Sequence, residues 1–545
     1  MAAACLTTPP AAAPLLLPPL LLLVLWASPA RAEEDGAGAE EGWAAFFSRD
    51  FYHMLILPLM LATVVLGYLA RPSTSDDMPA GFRRFQYTYI LVWALCVAAD
   101  WLQGPYVYAL YAAYGFEGHE IAQLFVAGFG SSLVFGSFVG TVTDKFGRKK
   151  CCIMYCVLYI ASCMTKHFKV YSILMLGRVT GGIATSMLFS CFECWMVSEH
   201  TQRHNFSGGL LGYMFGMMFQ VMYLVAIVSG LAGQAVADGF TFGPISPDSS
   251  FYTGGFCCPF DLAIACLVVG IVLIATLWEE NYGNQGAEAD ATSGLMENIQ
   301  SGMNLLLFDR RALLLGVVIS SFEGSMYAFV FNWTPALESE TTKPPHGVIF
   351  ALFMMACMCG ASTSTLTGEL AKTTHRLLAT FAAGFIAFAI ASQAAYRTYG
   401  ENLGLSLSAF LIFEYCCGVY FPSVGVLKSE VVPEQVRGTV YNLYRVPLNA
   451  IVVSLLLSSI SMSTCFQLNA LLLLTASVCM AGIIYASGSA AGIPGVMPKG
   501  KDVEMGKVRY EKVPTTEVVE AASATVVGRR RGHASDETSE SASTP

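Results

Sequence analysis

The chain has 545 residues, a net charge of −9, 55% apolar residues, only 13% charged residues and a mean hydropathy of +0.56. Soluble domains carry about 25% charged residues, so this composition points away from a soluble globular protein. The acidic balance comes largely from two tails and a central loop and gives no footing for a nucleic-acid partner, and none is expected. Seventeen cysteines include no pair of C-x-x-C units with zinc spacing, and no metal or cofactor is expected.

Leu15 to Trp26 is a short apolar stretch broken by Pro18-Pro19. Ala30-Arg31-Ala32 then offers a small-x-small cleavage site before an acidic segment. Residues 1–32 therefore read as a signal peptide, although the basic n-region is missing. Residues 33–84 hold a tail, a first apolar span from Phe51 to Ala70 and a linker. Twelve further apolar runs follow, on the scale of the roughly 20 residues needed to cross a bilayer. They are Phe85–Tyr114, Glu120–Val142, Cys151–Thr165, Tyr171–Ser198, Gly208–Val236, Phe260–Trp278, Arg311–Pro335, His346–Leu370, Arg376–Tyr396, Leu403–Val426, Gly438–Ile460 and Gln467–Ala486. The polar stretch 280–310 divides them into halves at 85–279 and 311–487. Residues 488–545 are rich in Lys, Glu, Ser and Thr, and read as a disordered tail.

Between the second and third of these runs stands Gly140-Thr141-Val142-Thr143-Asp144-Lys145-Phe146-Gly147-Arg148-Lys149-Lys150. Gly147 permits a tight turn. Arg148 and Lys149 belong to a basic cluster that holds the loop on the cytoplasmic side. Asp144 sits where a helix N-terminus or a cation could pair with it. The string resembles the loop between helices two and three of the major facilitator superfamily. That resemblance implies an all-α membrane protein with 6+6 transmembrane helices, here with one additional N-terminal span. It further implies that helices one, four, seven and ten line a central path.

The basic residues fit one orientation. Starting outside and alternating, Arg71, Arg83, Arg84, Lys145, Arg148, Lys149, Lys150, Arg203, Arg310, Arg311, Lys372, Arg376, Lys428 and Arg437 fall inside. Arg49, Lys166, Lys169, Lys343 and Arg397 fall outside. The excess places the mature N-terminus outside and the C-terminal tail in the cytoplasm.

Two arginines fall within spans: Arg178 in Gly177-Arg178-Val179-Thr180-Gly181-Gly182, and Arg445 in Asn442-Leu443-Tyr444-Arg445-Val446-Pro447. Intramembrane charge is expensive and marks function or a tie between helices. Acids also lie in spans: Asp100, Glu193, Glu323 and Glu414. Glu193 is near a helix end and suits a structural role. A guanidinium's planar fork matches an oxyanion, and carboxylates suit proton coupling or gating. Acids outnumber arginines, so charge counting alone leaves a cation or neutral solute open. The residues by themselves support a solute carrier with a leaning toward anions.

A closer resemblance comes from Ala98-Ala99-Asp100-Trp101-Leu102-Gln103-Gly104-Pro105-Tyr106-Val107-Tyr108, Phe192-Glu193-Cys194-Trp195, Glu279-Glu280-Asn281-Tyr282, Phe331-Asn332-Trp333-Thr334-Pro335, Val419-Tyr420-Phe421-Pro422-Ser423 and Tyr444-Arg445-Val446-Pro447. Together with the Arg178 string, these are similar to the eukaryotic molybdate-anion transporter family. The resemblance implies a secondary transporter, not an enzyme, that takes up molybdate with high affinity at the cell membrane by alternating access. It implies a transport path through Asp100, Gln103, Tyr106, Arg178, Glu193, Glu323, Glu414 and Arg445, and a conformational loop at Gly140, Asp144, Gly147, Arg148 and Lys149. The partners expected are the molybdate oxyanion and the lipid bilayer, with the protein a monomer. The alternatives are a facilitator carrier of sulfate or a sugar, or a membrane sensor that transports little. No nucleophile triad, phosphate loop or metal cluster stands out in the sequence.

Overall fold

The computed structural model describes residues 40–74, 76–136, 138–282, 291–338, 344–368, 370–396, 403–433, 437–458 and 460–491. The leader at 1–32 and the tail beyond Ala491 lie outside the described residues. Within a bilayer every backbone N–H and C=O must be satisfied internally, which leaves helices as the solution for these apolar runs.

The chain opens with α1 (Glu40–Leu69) and crosses a linker to Gly81, whose φ of 92° turns the backbone into α2 (Phe82–Gln103). The expected single span Phe85–Tyr114 is broken at Gly104-Pro105, and α3 (Tyr106–Ala113) continues it. Pro105 supplies no N–H to the ladder, which is the physical reason for the break. The next run is likewise shared between α4 (Gly118–Gly136) and α5 (Val139–Phe146). Then come α6 (Arg148–Thr165), α7 (Tyr171–Ser198) with a closing π-turn at Glu199–Arg203, and α8 (Gly208–Gly239). Ser207 caps α8 by accepting from the Leu210 N–H at 3.3 Å. A short antiparallel hairpin, β1 (Gly243–Pro244) and β2 (Tyr252–Thr253), leads into α9 (Cys258–Leu277).

The stretch 280–310, expected as a loop, contains a helix, α10 (Ala291–Phe308). Gly302 on α10 faces Thr439, Val440 and Leu443 of α15 (Arg437–Leu457). Its apolar residues Leu305 and Leu306 pack on the core, which the polar composition of the stretch as a whole concealed. The second half comprises α11 (Arg310–Leu337), α12 (His346–Leu366), α13 (Thr373–Tyr396), α14 (Leu403–Val431), α15 and α16 (Met462–Ala491). Asp309 caps α11 by accepting from the Arg311 N–H at 2.8 Å.

Among the described residues, ten segments are long and apolar enough to cross a membrane, so the chain is a multi-pass membrane protein. α4 and α5 divide one run between them, and three basic residues fill the first turn of α6. In α1 only 54–69 is strongly apolar.

Two buried cores follow the two halves. They exchange small pieces. Ala226 and Ile227 of α8 join the core of the second half, while Leu448, Val452 and Leu456 of α15 join that of the first. These are the two seams of the molecule. α1 lies over the α8–α12 seam. Its Thr63 hydroxyl reaches the Met355 carbonyl at 3.4 Å, and its Gly67 carbonyl accepts from Gln220 Nε2 at 3.2 Å.

Candidate substrate path

At one end the halves are tied by hydrogen bonds. The Gln234 side-chain oxygen accepts from the Tyr106 hydroxyl at 3.3 Å and from the Gly347 N–H at 2.9 Å, linking α3, α8 and α12. Beside them the backbones of Gly230 and Gly347 meet so closely that a Cβ on Gly347 would stand 2.2 Å from the Gly230 carbonyl oxygen. Ring contacts continue the seal: Tyr108 and Phe125 against Phe331, Phe129 against Tyr327, and Trp101 against Phe350. Toward the end that carries Asp144, α15 of the second half still touches α4 of the first. Arg445 is exposed there, although its guanidinium nitrogen lies only 3.6 Å from where a Gly136 Cβ would stand on the opposite half.

The expected path residues occupy different stations. Asp100 on α2 is half-buried and accepts a hydrogen bond from the Tyr159 hydroxyl of α6. Gln103 is buried, but its amide donates to the Ala99 carbonyl of its own helix at 2.9 Å. Tyr106 belongs to the seal between the halves. Arg178 on α7 donates from Nε to the Leu124 carbonyl of α4 at 3.1 Å, and its guanidinium lies 4.9 Å from the Phe125 ring centre. Gly128 makes the room: a Cβ there would come within 2.5 Å of the guanidinium. Arg445, on α15, instead faces Gly136 near Ser186, whose hydroxyl donates to the Ser132 carbonyl at 2.8 Å. Gly128 and Gly136 are eight residues apart on α4, so the two arginines sit at levels about 12 Å apart. They do not converge on one point.

Glu193 is exposed, fifteen residues from Arg178 on the same helix, or about 22 Å away. The structure does not bring it to the other path residues. Glu323 on α11 accepts from the Tyr420 hydroxyl at 3.0 Å and lies 4.0 Å from Lys428 Nζ. Glu414 on α14 is only 8% exposed, close to Cys357 and Tyr223, and no hydrogen bond or ion pair reaches it among the described residues. No carboxylate lies within ion-pair distance of Arg178 or Arg445 among the described residues.

At the turn between α5 and α6, Asp144 is exposed and paired with Arg148, at 2.8 Å to Nη2 and 3.1 Å to Nε. Gly147 takes φ 103°, and Gly140 has open space around it. Lys149 donates from Nζ to the carbonyls of Ala275 and Trp278, at 2.9 and 2.8 Å. Glu280 completes this corner, accepting from the backbone N–H groups of Lys149 and Lys150. Glu279 pairs with Arg203, and Trp195 Nε1 donates to the Glu279 carbonyl at 2.9 Å.

Two lysines assigned by sequence to opposite aqueous sides pack against the protein, Lys428 partly and Lys166 fully. Lys428 was expected in a loop after Val426. α14 runs on to Val431, which carries Lys428 into its last turns and to Glu323. Lys166 was expected in an outer loop, yet it is 1% exposed. It directly follows α6, and its side chain folds back over Ser162 toward Tyr111 and Gly177. Burial, together with the Arg178 charge, pushes the Lys166 amine down to about 7. Its place at a helix end, before a five-residue turn, was the only signal in the sequence.

Residues 51–395 match a family model described as sugar transporters with twelve transmembrane segments. The chain is 36% identical over 413 residues to a molybdate-anion transporter of Xenopus tropicalis, across 73% of this chain and 85% of the relative. It is 32% identical over 388 residues to one of Danio rerio, across 68% and 78%. Among solved structures it resembles a D-xylose–proton symporter with TM-score 0.56 at 12% identity, covering 73% of this chain and 97% of that one. An inward-open xylose transporter from E. coli gives TM-score 0.55 at 13% identity, covering 73% and 96%. These likenesses establish the major facilitator fold.

Proposed function

The chain belongs to the molybdate-anion transporter family of the major facilitator superfamily, and from that premise we propose that it imports molybdate by alternating access between its two halves. The observation that carries this reading is the state of the two intramembrane arginines. Arg178 is held by the Leu124 carbonyl and the Phe125 ring, Arg445 is exposed beside Gly136, and neither has a carboxylate partner among the described residues. A tetrahedral dianion that sheds its hydration needs fixed cationic donors in compensation. Guanidinium forks supply them with directional hydrogen bonds.

Arg445 is the cation of the end that carries Asp144, beside the hydroxyl pair of Ser132 and Ser186. Arg178 stands deeper, toward the sealed end. An anion passing between them crosses from one half's donor to the other's. Asp100, tied to Tyr159 within the first half, and Glu323, tied to Tyr420 and Lys428 within the second, keep their partners as the halves rock. Glu414 is the buried acid suited to carrying a proton.

The positive-inside distribution supports a cytoplasmic side for the end that carries Asp144. The sealed end then faces outside, as does the mature N-terminus, and the C-terminal tail lies in the cytoplasm. The cell membrane is the proposed location and a monomer the proposed state. The test is uptake of labelled molybdate by purified protein in liposomes, with sulfate as competitor. Accumulation resistant to sulfate is expected. Binding without accumulation would leave a sensor, and accumulation abolished by sulfate would leave a general oxyanion carrier.

A further inference from the structure

We infer that Lys166 is a second cation of the anion path, forming with Arg178 and the Tyr111 hydroxyl an oxyanion site in the first half and taking up a solvent proton as the anion arrives. This rests on the reading of the chain as an anion carrier. It adds a residue and a coupled proton that the helix pattern does not assign.

The geometry is unusual for a lysine. Its Nζ makes a single long hydrogen bond, to the Ser162 carbonyl at 3.5 Å, and lies 5.9 Å from the Tyr111 ring centre. It is 3.1 Å from where a Cβ would stand on Gly177, the glycine before Arg178, whose missing side chain also makes room for the Thr165 hydroxyl. Tyr111 is fully buried, and its hydroxyl has no hydrogen-bond partner among the described residues. The titratable groups facing the amine are Arg178 from α7, Cys163 from α6 and Tyr111 from α3. None is a carboxylate.

An ammonium buried beside a permanent cation, with no counter-ion, is strongly disfavoured. The empty site therefore favours the neutral amine. A bound dianion reverses the balance. The amine lone pair takes a proton from solvent, and the resulting ammonium offers three donors to the oxyanion alongside the guanidinium fork. The proton leaves when the anion does. One positive charge thus crosses with the anion, which lowers the electrostatic cost of passing a dianion through the low-dielectric centre.

The backbone at this position is held separately, since the Lys166 carbonyl accepts from the Tyr114 hydroxyl at 2.6 Å. Side-chain replacement leaves that bond in place. The test compares wild type, Lys166→Met, Lys166→Arg and, as control, Lys169→Met in the same turn, where the side chain is exposed. Molybdate binding to purified protein and uptake into liposomes are followed from acid to alkaline pH. Lys166→Met should weaken apparent affinity about ten- to a hundredfold, the loss of a charged hydrogen-bonding group, and flatten the pH profile. Lys166→Arg should bind but lose the pH dependence. Lys169→Met should behave as wild type. A folded Lys166→Met protein with wild-type affinity and pH profile overturns the inference. If that variant does not fold, an unchanged pH profile in Lys166→Arg overturns it instead. A wild type that takes up no molybdate overturns the transport proposal, and this one with it.

Discussion

Glu280 caps α6 from across the loop: its carboxylate accepts from the Lys149 N–H at 2.8 Å and from the Lys150 N–H at 3.2 Å. Negative charge at a helix N-terminus satisfies orphan donors and complements the dipole. The bond fixes the segment after α9 to the first turn of α6. Gly147 is built into the same corner, because a Cβ there would fall 2.6 Å from the Glu280 carboxyl carbon, at a backbone φ of 103°. Glu280→Gln should therefore cost about 1 kcal/mol. Gly147→Ala should cost at least the ~1–2 kcal/mol of left-handed backbone strain. Thermal unfolding of the detergent-purified protein reads both. Equal melting temperatures for wild type and Gly147→Ala would contradict this account of the corner.

Asp144 is the exposed partner of Arg148 in that loop. An exposed i,i+4 pair contributes only about 0.3–0.5 kcal/mol. Asp144→Asn should therefore leave folding and molybdate affinity intact while slowing turnover, because the residue sits at the exposed turn between α5 and α6. Uptake kinetics separate the two. A large loss of affinity with normal turnover would refute the assignment.

The apolar spans and the turn at Gly147 were legible in the sequence, because apolar run length and glycine placement are properties of the one-dimensional chain. The break at Pro105 was written there too, as a proline inside an apolar run. The partners of the charges were not legible. Glu323 meets Lys428 because α14 continues one turn past the apolar run. Asp100 meets Tyr159 from a different helix, and Lys166 turns inward from a helix end. Such pairings depend on helix rotation and crossing, which hydropathy does not encode. The α10 helix escaped for a related reason: a few apolar residues spaced among polar ones were enough to dock it on α15.

The seal between the halves depends on two glycines. A Cβ on Gly347 would meet the Gly230 carbonyl oxygen at 2.2 Å, and one on Gly230 would meet the Gly347 carbonyl oxygen at 2.6 Å. Backbone cannot move aside as a side-chain tip can. Gly347→Val should hold this end open, abolish net uptake and expose Gln234 to a cysteine-directed label in a Gln234→Cys background. Gly239→Ala on the same helix α8, with nothing within 4 Å, should leave uptake unchanged. Normal transport by a well-folded Gly347→Val protein would remove the seal from the mechanism.

Orientation has a direct readout in two exposed loops. Asp248 lies in the hairpin between α8 and α9, and Ser73 in the linker between α1 and α2. A membrane-impermeant maleimide should label Asp248→Cys on intact cells above the native-cysteine background. Ser73→Cys should react only after permeabilisation. The reverse pattern would invert the proposed topology and turn the end that carries Asp144 outward.

Arg178 and Arg445 give the sharpest test of the path. Neither has a carboxylate within ion-pair distance among the described residues. The acids that could have neutralised them are engaged elsewhere, Asp100 with Tyr159 and Glu323 with Tyr420 and Lys428. Arg178→Ala should abolish uptake at near-normal surface expression. Arg445→Ala should do the same or weaken apparent affinity several-fold. Lysine at either position should rescue only in part, because a point charge lacks the planar fork. At Arg178 it would also lose the Nε contact to the Leu124 carbonyl. If the arginines served only to neutralise buried acids, removing both members of a pair would restore function. The decisive variant is therefore Arg178→Ala combined with Asp100→Asn. Wild-type rate and affinity in that double variant would make Arg178 a tie between helices and remove it from the oxyanion's route. Continued loss of uptake in a folded, surface-expressed double variant is the expected result, since a donor that the anion itself requires cannot be replaced by silencing an acid.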